Sequence, residues 1–106
     1  MNKIIILLTI TLVSVFSEAA TKDFTIAGLG ISTSSNTIFL DVEQNHGHAT
    51  CSDQNSFRLS TSSPLYKEIY ATLLAAKAAN KTVSIGFGDS DNCLYNSPII
   101  GSVYIK

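Results

Sequence analysis

The chain has 106 residues, with seven basic and eight acidic side chains and a formal net charge of −1 at pH 7. This length allows one domain at most. The balanced charge, without a clustered basic face, excludes the pattern of a nucleic-acid-binding protein and that of a polybasic membrane-binding segment. We therefore expect neither nucleic acid nor a membrane surface as a partner of the folded domain.

The first element in the chain is a secretory signal peptide, predicted over residues 1–19. A basic start precedes an apolar run from Ile4 to Phe16, and the small residues Ser17 and Ala19 stand where a signal peptidase requires them. An uncleaved membrane anchor is the alternative, but the apolar run is shorter than the roughly 20 residues that span a bilayer. We expect cleavage after Ala19, export to the periplasm or the extracellular space, and one domain over residues 20–106.

Three strands are predicted before the helix. The first, Phe24 to Ile31, is rich in apolar residues but contains two glycines, so we expect it to be bent or bulged. Thr37 to Glu43 alternates cleanly, which indicates a half-buried strand with a core face and an outer face. The core face is formed by Ile38, Leu40 and Val42, and the outer face by Phe39, Asp41 and Glu43. Ser56 to Ser60 is a short third strand.

A helix is predicted from Ser63 to Asn80. Serine before Pro64 is typical of a helix start, because the hydroxyl can cap the first free N–H groups and proline is tolerated at the first helical position. Asn80 is expected to end the helix in a left-handed conformation. The stripe that should face the core consists of Leu65, Ile69, Leu73 and Ala76, flanked by Tyr66 and Tyr70.

Two strands follow the helix, Val83 to Phe87 and Ile99 to Ile105. Three strands, one helix and two strands is the order of the OB fold, a five-stranded Greek-key barrel with its helix between the third and fourth strands. We therefore predict a mainly β fold with one helix, built as an OB-like barrel of order β-β-β-α-β-β. An open α+β sheet with the helix on one face fits the same order and is the alternative.

The two cysteines are Cys51 and Cys93. In an exported chain an even pair most simply forms one disulfide, which would join the loop after the second strand to the loop after the fourth. A redox pair or a thiol nucleophile is the alternative, but the sequence has neither a C-x-x-C spacing nor a positioned partner.

Several segments resemble, in register, the subtilase cytotoxin B-subunit-like family of small exported bacterial proteins. They are Cys51, Tyr66–Ile69, Leu73–Ala76, Asn80–Ile85 and Cys93. The resemblance covers Cys51 to Ile105, and the first two strands by pattern alone. It implies an OB fold and, for the toxin members, a ring of five subunits that binds cell-surface glycans. No motif here matches the toxin's sugar pocket residue by residue.

Candidate metal ligands and catalytic groups are sparse. His46 and His48 could offer two imidazoles, with Asp53 or Glu43 nearby, but no second ligand pair stands at a diagnostic spacing. We expect both histidines to lie in a solvated loop and no metal or other cofactor to be bound. The sequence shows no nucleophile elbow, paired carboxylates or phosphate-binding glycine loop, so we do not expect an enzyme.

The function these features favour is a binding module that presents loops or a barrel face to a cell-surface glycan or a protein. Its candidate ligand contacts are Asp41, Arg58, Tyr95 and Asn96, which are polar or aromatic side chains suited to a sugar. The alternatives are a structural or assembly protein without sugar binding, and an inhibitor of a secreted enzyme.

Small residues mark the side of the helix opposite the core stripe. Ala71, Ala75 and Ala78 fall there, where a solvent-facing helix usually carries more charge. One interpretation is that alanine is simply the best helix former. The other is that small residues let a second subunit approach closely, which makes these alanines the candidate interface of a homo-oligomer, a pentamer by resemblance.

Overall fold

Two three-stranded antiparallel sheets and one helix build the domain. The computed structural model describes residues 20–88 and 91–106, and the predicted signal peptide over residues 1–19 lies outside them. The elements in chain order are β1 (Ala20–Phe24), β2 (Ile26–Ser32), β3 (Thr37–Val42), β4 (Ser56–Ser60), α1 (Tyr66–Ala78), β5 (Val83–Phe87) and β6 (Ile100–Ile105). Within the described ranges, no helix has the length and apolarity needed to cross a membrane. The prediction of a mainly β fold with one helix is confirmed.

Of the strand predicted from Phe24 to Ile31, Phe24 ends β1 in one sheet, and the part after Thr25 forms β2 in the other sheet. The segment before Thr25, β1, was missed by sequence reasoning, because residues 21–23 are polar and exposed and show no apolar alternation. β1 exists because it pairs along its whole length with β5. The predicted irregularity is confirmed in β2, where the register against β3 shifts between Ile26 and Gly28.

The order of strands is β1-β5-β6 in one sheet and β2-β3-β4 in the other. The chain passes from the first sheet to the second through Thr25. β4 also meets the residue that precedes β6 at one isolated parallel bridge between Arg58 and Ile99, where the Arg58 N–H donates to the Pro98 carbonyl at 3.0 Å. The sheets therefore touch at a second place, but this contact is a single bridge rather than a ladder.

The core lies between the two sheets and is covered by the helix. Phenylalanine rings form its centre, because Phe57 meets Phe24 edge-on at 5.1 Å between centroids and meets Phe87 at 5.2 Å. The other buried apolar residues are Ile26, Ile38, Leu40, Val42, Leu59, Leu73, Ala76, Val83, Ile85 and Ile100. All three residues assigned to the core face of β3 are buried.

The helix starts later than predicted. Ser63 does not cap it, because Leu65 occupies the N-cap position and no side chain there accepts a hydrogen bond from the first helical N–H groups. The Ser63 N–H donates to the Ser60 carbonyl and closes a turn at the end of β4. The helix begins at Tyr66, and the preceding Leu65 is 60 % exposed instead of facing the core. Leu65 instead lines a groove of about 260 Å³ between the start of the helix and the start of β6. Ile69, on the predicted stripe, is half-buried against the core.

The end of the helix agrees with the prediction. Asn80 has a φ of 60°, and its N–H donates to the Lys77 carbonyl while the Lys81 N–H donates to the Ala76 carbonyl. This pair of bonds is a Schellman motif, which satisfies carbonyls that the helix would otherwise leave free. The chain can therefore turn at once into β5, two residues after Lys81.

The disulfide joins the loop between β3 and β4 to the loop between β5 and β6, as predicted. Cys51 and Cys93 are bonded at 2.04 Å between sulfurs and 5.6 Å between Cα atoms, across a sequence separation of 42. Cys51 is buried. The bond links two segments that no strand pairing holds together.

Removing this bond should lower stability substantially. Replacing both Cys51 and Cys93 with Ser should reduce the free energy of unfolding by about 4 kcal/mol, since a loop of this length is closed in the unfolded chain. Thermal unfolding of the oxidised wild type and the double variant measures the difference. A melting temperature unchanged by the substitutions, or two titratable thiols in the native protein, would contradict this assignment.

Candidate functional site

A row of stacked side chains crosses the outer face of the β2-β3-β4 sheet. Successive residues of a strand point to opposite faces, so Phe39 and Asp41 of β3 face outward while the core residues of β3 face inward. The register pairs Gly30 of β2 with Phe39, and Phe39 with Arg58 of β4. These three positions therefore form one line across the sheet.

The phenylalanine ring rests on the backbone of β2. A side chain at Gly30 would place its Cβ 2.6 Å from Cζ of Phe39, so only glycine leaves room for the ring. The Arg58 guanidinium then stacks between two rings, with Cζ 5.4 Å from the centroid of Phe39 and 5.1 Å from that of Tyr95. We call Gly30, Phe39, Arg58 and Tyr95 the stacked row.

Tyr95 reaches the row from a tight hairpin in the loop before β6. The Leu94 N–H donates to the Ser97 carbonyl at 2.8 Å, and the Ser97 N–H donates back at 3.1 Å. The two central residues, Tyr95 and Asn96, have φ values of 51° and 68°. This is the type I′ pattern, which favours Asn and Gly and is costly for a bulky tyrosine. The tyrosine is nevertheless 55 % exposed, so burial does not explain the cost.

The hairpin is fixed to the rest of the domain on the side away from the ring. The Asp53 N–H donates to the Asn96 carbonyl at 2.9 Å, and the buried hydroxyls of Ser56 and Ser97 are 2.7 Å apart. The disulfide at Cys93 adds a covalent attachment. The backbone on both sides of Tyr95 is therefore held in place by these contacts.

Among the described residues, two charged groups of this outer face, those of Arg58 and Asp41, lack a salt-bridge partner. Across residues 20–88 and 91–106, the one ion pair joins Asp23 of β1 to Lys106, which follows β6, and both of these strands belong to the other sheet. Arg58 donates to the Thr37 hydroxyl at 2.9 Å and has further N–H groups to offer. Asp41 is exposed beside the bare backbone of Gly28, which lies opposite it in the register. The face thus combines a cation, a carboxylate and two aromatic rings.

Of the four residues predicted to contact a ligand, some lie together in the structure and others do not. Arg58 and Tyr95 are in direct contact, and Asp41 lies on the same outer face two residues along β3. Asn96 contributes its backbone conformation and a carbonyl. The sequence analysis does not include Phe39 in the site. The signal for it is a large apolar residue on the outer face of an alternating strand.

The prediction of solvated histidines is wrong. His46 and His48 are 1 % and 4 % exposed. Nε2 of His46 lies 2.7 Å from the Asp53 carbonyl, which can only accept, so Nε2 carries the hydrogen, and Nδ1 accepts from the His48 N–H at 3.1 Å. Nδ1 of His48 accepts from the N–H groups of Thr50 and Cys51 at 3.1 and 3.2 Å. The loop is thus ordered although its composition is polar, because two neutral imidazoles form the hydrogen bonds that its backbone groups would otherwise make with other backbone groups.

Burial lowers the pKa of His46 below 6.5. The desolvation of the ring is the main cause, and repulsion from His48 acts in the same direction, while the hydrogen bond to the Asp53 carbonyl and the Asp53 charge oppose them. No group of three or more His, Cys, Asp or Glu side chains able to hold a metal ion occurs in the described part of the chain.

The alanines predicted as an oligomer interface are exposed. Ala71, Ala75 and Ala78 all lie on the solvent side of the helix, opposite the buried Leu73 and Ala76. Their role in self-association stays a prediction.

No protein-family model, no curated protein and no solved structure matches this chain. Its function must therefore be argued from the geometry of its own residues.

The strain at Tyr95 predicts an unusual mutational result. Tyr95→Asn should change the free energy of unfolding by less than about 0.5 kcal/mol, because relief of a left-handed tyrosine and loss of an exposed cation–π contact are both worth about 1 kcal/mol. The same substitution in an Arg58→Gln background, which has no stack to lose, should stabilise by about 1 kcal/mol. Chemical denaturation of the four proteins measures both values. Losses above about 2 kcal/mol in both backgrounds would show that Tyr95 is structural.

The burial of His46 predicts loss of stability in mild acid. Above pH 6.5 the imidazole is neutral in both states. As the pH falls below that value, the unfolded chain binds a proton that the folded chain excludes, so stability decreases until the lower pKa of the folded state is reached. His46→Gln keeps a donor for the Asp53 carbonyl and cannot titrate, so its melting temperature should fall less between about pH 7.5 and 5.5. An undiminished fall in the variant would contradict the assignment.

Proposed function

We propose that this chain is a small exported binding module, OB-like in architecture, whose outer sheet face binds a carbohydrate. The single observation that carries the proposal is the stacked row, in which Arg58 lies over two aromatic rings, on the same outer face as Asp41, and neither charged group has an ion pair among the described residues.

The strand connections are compatible with an OB-like barrel. If β1 and β2 are taken as one strand bent at Thr25, its first half pairs with β5 and its second half with β3, as the shared first strand of such a barrel does. β4 and the residue that precedes β6 meet in parallel at Arg58 and Ile99, and the helix lies between β4 and β5. In that reading, β3 and β4 are the second and third barrel strands.

The position of the stacked row fits the binding face of such barrels. OB folds bind oligosaccharides and oligonucleotides on the face of strands two and three and on the adjoining loops. Phe39 and Arg58 lie on those two strands, and Tyr95 lies on the loop between β5 and β6. The net charge of −1 makes a polyanionic nucleic acid the poorer candidate.

The chemistry of the face suits a sugar. Tyrosine offers an aromatic surface for the apolar face of a pyranose ring together with a polar hydroxyl. Hydroxyl groups can donate to the Asp41 carboxylate and accept from the Arg58 guanidinium. The rigid attachment of Tyr95 through Asn96 and Ser97 reduces the ordering that binding would require.

The disulfide supports export, since such bonds form and persist in the periplasm or outside the cell. We therefore place the protein in one of these compartments. The predicted signal peptide is the route that this proposal assumes.

Carbohydrate binding is testable with a matched pair of tyrosines. The oxidised domain, residues 20–106, is screened on a glycan array, and the best glycan is titrated by calorimetry. Tyr95→Asn should weaken binding at least about tenfold, because the ring is lost at the site. Tyr104 of β6 is 56 % exposed, nearly the same as Tyr95, but lies in the other sheet, so Tyr104→Ala is the control.

Two results would refute carbohydrate binding. One is an array without a glycan that binds above background. The other is an equal effect of Tyr95→Asn and Tyr104→Ala on the measured affinity.

Self-association is a second proposal, favoured by the exposure of the alanine stripe. If a second copy packs against the helix, the domain sediments as a multimer, and Ala75→Glu dissociates it without unfolding it, because a carboxylate cannot be buried unpaired. Thr33→Glu adds the same charge in the exposed turn between β2 and β3 and should leave the multimer intact. A wild-type monomer at high micromolar concentration would exclude this proposal.

A further inference from the structure

The two buried imidazoles hold the loop that supports Tyr95. The loop between β3 and β4, residues 43–55, which we call the histidine loop, contains His46 and His48. Their Nδ1 atoms accept backbone N–H groups of His48, Thr50 and Cys51. The loop therefore depends on two acceptor nitrogens that a proton would convert into donors.

The same loop is attached to the hairpin of the stacked row at two points. Cys51 is bonded to Cys93, two residues before Tyr95. The Asp53 N–H, next to the carbonyl that His46 contacts, donates to the Asn96 carbonyl at 2.9 Å. Movement of the histidine loop is therefore transmitted to both sides of Tyr95.

The surroundings of the His46 ring oppose a positive charge more than they favour it. Lys22 of β1 donates to the His46 carbonyl at 2.8 Å, and each histidine ring lies 6.4 Å from the other. β4 and β5 contribute the rings of Phe57 and Phe87. Asp53 is the acidic group that favours protonation of His46, and the loss of water around the ring outweighs it.

We infer that His46 and His48 are positioning residues for the stacked row: protonation in mildly acidic solution breaks the hydrogen bonds of the histidine loop, releases the hairpin, and lowers affinity at the outer face. Since the sequence contains two histidines and no other side chain that normally titrates between about pH 5 and 7, this response belongs to them. The ligand part of the inference rests on the proposed carbohydrate binding, whereas the release of the loop does not.

The test measures amide hydrogen exchange by NMR on the oxidised domain at about pH 7.5 and pH 5.0. After correction for the intrinsic pH dependence of exchange, protection of the His48, Thr50 and Cys51 amides should fall at least about tenfold in acid, relative to the amides of β5. The Ser97 amide, which closes the Tyr95 hairpin, should lose protection with them. Unchanged protection at the lower pH would overturn the inference, whether or not the imidazole resonances show protonation.

A variant tests whether His48 causes the loss of protection, and a ligand measurement tests whether that loss lowers affinity. In His48→Asn, the amide oxygen takes the place of Nδ1 as an acceptor that cannot be protonated, while His46 remains, so protection of the Thr50 and Cys51 amides should fall less in acid than in the wild type. An acid response that persists fully there would assign the effect to other groups and overturn the role of His48. Should that variant not fold, the wild-type comparison still decides.

The ligand arm uses the best glycan of the array. Its affinity should fall at least about tenfold at the lower pH, in step with the amides. Loss of loop protection without loss of affinity would overturn the coupling to the stacked row. An array without any bound glycan refutes the carbohydrate proposal alone, because the amide measurement needs no ligand.

Discussion

The attachment between the two long loops is the constraint on which the rest of the outer face depends. Neither loop belongs to a sheet, yet the Cys51–Cys93 bond and the Asp53–Asn96 hydrogen bond hold them together as one unit. The hydroxyl of Ser97 in the second loop also contacts that of Ser56, the first residue of β4. The disulfide reduces the conformational entropy of the unfolded chain, and the polar contacts set the local geometry of the two loops. Without this attachment, few contacts would hold Tyr95, which is half-exposed and has a positive φ, in a single conformation.

Stability and binding make opposing demands on the stacked row. The core is built from buried aliphatic and phenylalanine side chains and needs none of the outer residues. The row, in contrast, exposes a tyrosine at a costly backbone position and leaves Arg58 and Asp41 without a counter-ion among the described residues. Strain and unpaired charge that do not serve packing are typical of surfaces selected for binding. This contrast is the physical basis of the proposed function.

Sequence reasoning succeeded where a local rule decides the outcome and failed where a tertiary partner does. The alternation of β3, the left-handed Asn80 and the pairing of Cys51 with Cys93 follow from periodicity, helix termination and export chemistry. β1 was missed because a polar segment becomes a strand only through its pairing with β5. The histidines were placed in solvent because their partners are backbone N–H groups, which composition does not reveal. Phe39 was correctly placed on the outer face, but its contact with Arg58 required the register between strands.

A crystal structure of the oxidised domain with its tightest glycan tests the central claim most directly. The account predicts a sugar ring stacked on Tyr95, with hydroxyl groups within hydrogen-bonding distance of the Asp41 carboxylate and the Arg58 guanidinium. It also predicts that the Leu94–Ser97 hairpin keeps its conformation, since its own hydrogen bonds and the disulfide at Cys93 hold it in place. A sugar bound elsewhere, for example in the groove beside Leu65 and Ile99, with the stacked row empty, would contradict the account.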